Sequence, residues 1–291
     1  MTREPADPDV AFALRAITER TGLALPETRR ADVEKAARHL LRHGAMDAEG
    51  LPRGPGLAPL VEDLVERIRI GETYFFRDPA QFEFIRATAL PALLRGRPAD
   101  RPIRVWSAGC STGEEAYSLA ILFDGEGVAD RVEILGTDIS AEAVAHARRA
   151  VYTPWSLRGD PLGIAARHFR PDGRDLVLDD RIRRRVTFAQ ANLVAPCPPA
   201  DRGRFDLVLC RNVLIYFDAT GLAAAGRRLG DSLAEGGWLL TAAADPALDD
   251  TGCRRMLQSG RLVYRRQDRL PVAERPARRH DAMPGIPIGA D

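Results

Sequence analysis

The stretch from Ile103 to Glu115 constrains this chain more than any other. Ile103 to Trp106 is a short apolar strand. Ser107 to Gly113 is a turn of small residues. A helix then begins near Glu114, with Ala116, Tyr117, Leu119, Ala120, Ile121 and Leu122 to bury. A strand, a small-residue loop and a helix start together form a cradle for a nucleotide-like ligand. Small residues let the backbone come close, and the unpaired N–H groups of the first helical turn point outward. Glu114 and Glu115 suit the helix dipole and would repel a phosphate, so a positively charged cofactor fits the loop better than a pyrophosphate. The loop alone does not decide the matter. Only Gly109 and Gly113 are present, short of a Gly-x-Gly-x-x-Gly pattern, and similar turns occur in α/β folds that hold no ligand.

Composition excludes several classes. The chain has 291 residues, enough for one large domain or two ordinary ones, and its apolar content of 45% supports a core. The formal net charge of +1 gives no global case for nucleic acid or a membrane surface. No apolar run approaches the ~20 residues of a membrane span. Met1 to Asp9 is polar and lacks the apolar centre of a signal peptide. Cys110, Cys197, Cys210 and Cys253 show no Cys-x-x-Cys spacing, which speaks against zinc and against a disulfide framework. The expectation is a reduced, cytoplasmic protein with no resident metal, monomeric by default.

Residues 10 to 70 read as helical. In Arg29 to His43, Val33, Ala37, Leu40 and Leu41 share one helical face, while Lys35, Arg38 and Arg42 share another. That second face is either a solvated surface or a dock for an acidic partner. Pro52 to Pro59 breaks the chain before a second amphipathic helix, Leu60 to Ile70. Gly71 to Pro79 follows, with Thr73 and Arg77 beside three aromatics. Asp78 before Pro79 reads as an N-cap acceptor opening a helix that runs toward Leu90, where Pro91 disturbs it. Arg77 is either a packing anchor or a donor positioned for a carboxylate.

From 101 the chain alternates strands and helices, which implies a parallel, doubly wound sheet with ligands at the carboxyl ends of its strands. The second strand, Val132 to Gly136, ends in Thr137-Asp138, where an acceptor-only carboxylate suits a ribose diol. Ser140 caps the next helix. Arg167 to Leu178 reads as a hairpin inserted into the sheet fold. Val186 to Ala189 and Phe205 to Cys210 are further strands, and a helix from about Ala219 to Ala234 closes at Gly236-Gly237. Trp238 to Ala242 and Arg261 to Arg265 read as a closing antiparallel pair. Asp138, Asn192 and Asn212 then converge on the first loop. Asn192 suits an adenine edge, and Asn212 with Tyr216 stands at the mouth, where a second substrate would enter.

The ordered series Glu-Thr-Tyr-Phe-Phe-Arg-Asp (72–78), Trp-Ser-Ala-Gly-Cys-Ser-Thr-Gly-Glu-Glu (106–115), Gly-Thr-Asp-Ile-Ser (136–140), Ala-Asn-Leu (191–193) and Phe-Asp-Leu-Val-Leu-Cys-Arg-Asn-Val-Leu-Ile-Tyr-Phe (205–217) resembles the CheR-type methyltransferases. Those enzymes move a methyl group from S-adenosylmethionine to glutamate side chains of chemotaxis receptors. The resemblance covers roughly residues 10 to 265. It implies an N-terminal helical domain (1–70), a linker and connecting helix (71–100), and a Rossmann-like methyltransferase domain (101–266) with a small β insertion (about 152–180). The tail, 267–291, is expected to be disordered.

It also implies roles. Thr73 and Arg77 would meet the methionine end of S-adenosylmethionine. Ala108 and Gly109 would form its loop, with Glu115 at its amino-acid part and Asp138 at its ribose. Asn192 and Leu193 would frame the adenine, and Asn212 and Val213 would hold the cofactor. Arg77 and Tyr216 would be catalytic. The product would be S-adenosylhomocysteine, and the partner an acidic helical bundle of a methyl-accepting receptor, met through Lys35, Arg38 and Arg42. Two departures stand out: Gly71 where the family usually has Asn, and Trp238 to Asp245 where it usually has Gly-His-Ser-Glu. The residues leave open a module that binds the cofactor without turnover, and a methyltransferase with another substrate.

Overall fold

The computed structural model describes residues 8–24, 31, 33–35, 38, 72–160, 163–195, 204–249, 251–258 and 260–267. The Leu60 to Ile70 helix, Gly71, Arg42, Cys197 and the tail beyond 267 lie outside the described residues.

The described chain begins with helix α1 (Pro8–Thr21). Helix α2 (Pro79–Phe84) passes through a π-helical turn, Ile85–Ala89, into α3 (Leu90–Gly96). Pro91 lacks an N–H for the helical ladder, and one wide turn ahead of it absorbs the defect so that the helix continues. Then come β1 (Ile103–Ala108), α4 (Glu114–Gly125), β2 (Val132–Asp138) and α5 (Ala141–Arg149). A small sheet follows from β3 (Val151–Tyr152), β4 (Phe169–Asp172) and β5 (Asp175–Leu178), then α6 (Asp180–Arg183). The chain resumes with β6 (Val186–Gln190), β7 (Phe205–Cys210), α7 (Ala219–Ser232) and β8 (Leu233–Thr241), and ends on β9 (Arg254–Gln258) and β10 (Arg261–Arg265).

The main sheet has seven strands in the order β6-β2-β1-β7-β8-β10-β9. β6, β2, β1, β7 and β8 run parallel, and β10 is antiparallel to both neighbours. This is a Rossmann-like sheet. Helices cover both faces, so its central strands can be apolar throughout, and every residue of β7 is buried. Asp206 is the polar exception in β7. Its carboxylate accepts from Arg97 Nε at 2.6 Å and from the Arg104 backbone N–H at 3.0 Å.

Three local expectations change. Asp78 does precede a helix, but its side chain makes no capping hydrogen bond and its backbone is left-handed (φ 64°). Its carboxylate is held instead by Arg261 Nε and Nη2, both at 2.6 Å. Helix α7 stops at Ser232, two residues short of Ala234, and β8 starts at once, so Gly236 and Gly237 lie inside a strand. They mark a register shift against β7, between Phe205 and Leu207. Strand β9 has no signal in the sequence, because it forms the sheet edge and none of its five residues is buried.

The N-terminal segment packs on the sheet domain. Leu23 forms an isolated bridge with Phe217, and the Ala24 N–H donates to the Tyr216 carbonyl at 2.7 Å. Gly221 permits this approach, since a Cβ there would lie 2.4 Å from the Gly22 carbonyl oxygen. In the following helical piece Val33 is buried while Lys35 and Arg38 are exposed, and Arg38 pairs with Glu34 at 3.6 Å. Among the described residues no helix is long and apolar enough to cross a membrane, and no cluster of three or more His, Cys, Asp or Glu could hold a metal.

Candidate functional site

Topology sets the place. From β1 the chain works outward through β2 to β6, then crosses back to lay β7 on the other side of β1. The loops leaving β1 and β7 part at their carboxyl ends and open a crevice. A cleft of about 840 Å3, counting its open mouth, lies there. Gly109, Cys110 and Ser111 wall it after β1, Asp138 and Ile139 after β2, and Arg211, Asn212, Val213 and Tyr216 after β7. Leu23, Glu72, Thr73, Tyr74 and Arg77 close the remaining side, with Glu115 inside.

The floor is ionic. Ser107 Oγ donates to Glu115 Oε1 at 2.8 Å, and Arg211 Nη1 donates to Glu115 Oε2 at 2.9 Å. Arg211 Nη2 reaches on to the Arg77 carbonyl at 2.5 Å, and its guanidinium lies 5.7 Å from the Phe82 ring centre. One arginine thus joins the loop after β7, the start of α4 and the turn before α2. Glu114 does not share this role. It is turned into the protein, accepts from Thr112 Oγ1 at 2.7 Å and Ser156 Oγ at 3.2 Å, and does not line the cleft. Burial pushes its carboxyl above the ordinary range, against those hydrogen bonds. The two acids expected to face a ligand are therefore one, and that one is already paired.

Asp138 is buried at the end of β2. Its Oδ2 accepts from the Ser111 N–H at 2.8 Å and its Oδ1 from the Ser140 N–H at 3.0 Å. These bonds fix the carboxylate on the cleft wall. Gly109 has a φ of 76°, and a Cβ there would meet Val213 Cγ2 at 2.5 Å, so the loops after β1 and β7 close on each other at this glycine. Cys110 also lines the cleft. Burial first, then Asp138 and Glu115, push its thiol well up.

The mouth is built from Glu72 to Asp78. Arg77 Nη1 donates to the Glu72 carbonyl at 2.6 Å, and its guanidinium carbon sits 5.7 Å from the Tyr74 ring centre. Arg158, from the insertion, stacks on Tyr74 at 4.2 Å and on Trp155 at 4.7 Å, and pairs with Glu72 at 3.3 Å. The Phe75 N–H donates to the Ser156 carbonyl at 2.8 Å and the Phe76 N–H to Ser118 Oγ at 2.9 Å. Phe76 and Asp78 both have positive φ, a strained conformation that these outside bonds hold in place.

Of the residues singled out from the sequence, Thr73, Arg77, Gly109, Glu115, Asp138, Asn212, Val213 and Tyr216 meet on one cleft. Ala108, Asn192 and Leu193 do not line it. Ala108, the last residue of β1, and Leu193, in the turn after β6, are buried in the core. Asn192 is used to dock α1: Nδ2 donates to the Arg20 carbonyl at 2.8 Å and Oδ1 accepts from the Val194 N–H at 3.1 Å. Sequence reasoning missed Leu23, Glu72, Tyr74, Cys110, Ser111, Ile139 and Arg211 as lining residues. Arg211 lay inside the 205–217 motif and could have been found there; Leu23 carries no local signal.

The stretch at 241–245 also resolves. Asp245 is buried, and its carboxylate accepts the N–H groups of Asn212 (2.7 Å), Val213 (3.1 Å), Leu214 (3.0 Å) and Ala242 (2.9 Å). It fastens the loop after β7 from behind.

The donor set suits a nucleoside joined to an amino acid. Asp138 offers acceptors for a diol, Leu23, Ile139 and Val213 offer an apolar wall for a base, and Glu115 and Arg211 offer both charges for a zwitterion. Among the described residues the cleft holds no lysine and no glycine-rich phosphate loop.

Comparison with known proteins agrees. Residues 71–259 match the family described as CheR methyltransferase, SAM binding domain. The probable biofilm formation methyltransferase WspC of Pseudomonas putida is 38% identical over 70% of this chain and 49% of its own length. The WspC protein of Pseudomonas aeruginosa is 32% identical over 90% of this chain and 63% of its own length. A probable chemotaxis protein methyltransferase of Rhizobium etli is 33% identical over 75% of this chain and 85% of its own length. The chain thus spans about half of one WspC protein and less than two thirds of the other.

Proposed function

Because the chain belongs to the CheR methyltransferase family, whose domain here binds S-adenosylmethionine, we propose that it transfers a methyl group to glutamate side chains of a methyl-accepting receptor in chemotaxis-like signalling. The observation that carries this reading is one cleft holding Asp138 and Glu115 on its inner walls and a cationic side chain, Arg77, at its mouth. The products are a glutamate methyl ester and S-adenosylhomocysteine. The site works in the cytoplasm, where receptor signalling domains lie.

S-adenosylmethionine supplies an electrophilic methyl on a sulfonium. Asp138 takes the ribose diol, and Glu115 with Arg211 takes the amino-acid end. Thr73, Gly109, Asn212 and Val213 form the walls around it. Ala108, Asn192 and Leu193 act from behind, through the strand ends and the docked α1.

A substrate glutamate is ionised near neutral pH, so no base is needed. The task is alignment. Arg77 draws in and orients the carboxylate, and Tyr216 positions it from the opposite loop. Leu23 and the aromatic rim keep water from a weak oxygen nucleophile. The positive charges of Lys35 and Arg38, and of Arg42 further along the sequence, would attract an acidic helical bundle.

Labelled methyl incorporation into a receptor cytoplasmic fragment, released as methanol by mild base, tests the reaction. Arg77→Ala should bind S-adenosylhomocysteine like the parent yet lose about 100-fold or more in transfer, the scale of a lost positioning contact. Transfer at the parent rate would overturn the role of Arg77.

A further inference from the structure

Three successive backbone N–H groups, those of Asn212, Val213 and Leu214, point the same way behind the cleft. Asn212 is left-handed (φ 57°) and Val213 right-handed (φ −119°, ψ −42°). Alternating hands of this kind turn consecutive N–H groups into a concavity that binds an anion. Here the anion is internal. Asp245 stands beyond the end of β8, beside the end of β7, since Cys210 and Thr241 are partners in the parallel pair. Its two oxygens accept all three N–H groups and that of Ala242, at 2.7 to 3.1 Å. The Asp245 N–H returns to the Ala242 carbonyl at 3.1 Å, which closes the turn that aims the carboxylate.

The front of the same loop is the cleft wall. Asn212 and Val213 line it, and Val213 presses on the site of the absent Gly109 side chain. An asparagine in the left-handed region is a minority state in a flexible chain. Without the carboxylate, several buried donors would lack an acceptor and the loop would relax.

We infer that Asp245 is the positioning residue of the cofactor site: its carboxylate pre-forms the Asn212–Leu214 turn in the empty protein and thereby sets the affinity for the cofactor. The inference rests on the proposed reading of the cleft as an S-adenosylmethionine site. Asp245 touches neither cofactor nor substrate in this scheme; it acts through the main chain of its neighbours.

The test uses S-adenosylhomocysteine as the probe and Asp245→Asn as the variant. The amide matches the shape but turns one acceptor into a donor facing N–H groups. The control is Asp206→Asn, at the opposite end of β7, where the carboxylate serves Arg97 and the Arg104 N–H. By calorimetry, Asp245→Asn should raise the dissociation constant about tenfold or more, while folded Asp206→Asn binds like the parent even with a lowered melting temperature. Equal affinity of Asp245→Asn and parent overturns the inference. So does an equal loss in both variants, which would mark a structural effect alone. Hydrogen exchange of the parent keeps the inference testable if Asp245→Asn does not fold. The amides of Asn212, Val213 and Leu214 should be protected before any ligand is added. Protection that arises only with S-adenosylhomocysteine overturns it. If the parent binds no S-adenosylhomocysteine but shows those protected amides, the reading of the cleft fails and the clamp stands.

Discussion

Arg211 holds Glu115 at 2.9 Å from the far side of the sheet crossover, and the same guanidinium grips the main chain of Arg77. The side chain of Arg211 is 2% exposed. Breaking a buried pair by removing one partner leaves the other charged and stranded, at a cost of about 3–5 kcal/mol. Arg211→Ala is therefore expected to lose about 3 kcal/mol in denaturant unfolding. Adding Glu115→Gln should restore part of the loss, so the double variant is more stable than Arg211→Ala alone. A double variant less stable than either single one would show that the two residues do not act as a pair.

Gly109 carries two constraints at once, a positive φ of 76° and a contact with Val213. Gly109→Ala should cost about 1–2 kcal/mol for the left-handed backbone and weaken S-adenosylhomocysteine binding. Val213→Ala in the same chain makes room for the methyl but cannot relieve the backbone. Recovery of stability should therefore be partial. Complete recovery would mean that crowding alone fixes glycine at this position.

Glu114 gives a pH signature. Its carboxyl is raised by burial in the folded protein. The folded state then binds the proton more tightly than the unfolded chain, so this group contributes stability below the ordinary carboxylate pKa and loses it as pH rises through the raised value. Glu114→Gln removes the ionisation. The stability of the parent relative to this variant should fall in thermal melts as pH rises above the ordinary carboxylate pKa. A difference that grows with pH would contradict the buried, hydrogen-bonded placement of Glu114.

Asp78 separates backbone from side chain. Both Asp78→Ala and Asp78→Gly lose the pair with Arg261, but only alanine must be forced into a φ of 64°. Asp78→Ala should be the less stable by about 1 kcal/mol. Equal stabilities would show that the turn relaxes once Arg261 is released.

What was legible in the sequence was local. Apolar runs such as Phe205 to Cys210, the cap at Ser140 and the acid ending β2 each signal their state within a few residues, and the family motifs gather eight of the expected residues on one cleft. What was hidden depends on partners far apart in the chain. Asp78 looked like a helix cap because its true partner, Arg261, is 183 residues away. Asn192 looked like a ligand contact because the Arg20 carbonyl is 172 residues away. The end of Trp238 to Asp245 lacked a recognisable motif, yet Asp245 supplies a carboxylate that four N–H groups share, which no local pattern announces. Glu114 and Glu115 are adjacent in sequence, and only the helix rotation between them decides that one is buried and the other lines the cleft.

The bond from Arg261 to Asp78 has a consequence for the order of events in synthesis. The turn carrying Arg77 leaves the ribosome early, whereas the strand that anchors its neighbour is among the last to emerge. Gln81 waits likewise for the Thr241 carbonyl, 160 residues downstream. A nascent chain ending before β10 has the loops for the cofactor but not the brace that holds the mouth. The mouth of the cleft is thus braced only once β10, the last strand of the sheet, has joined its neighbours.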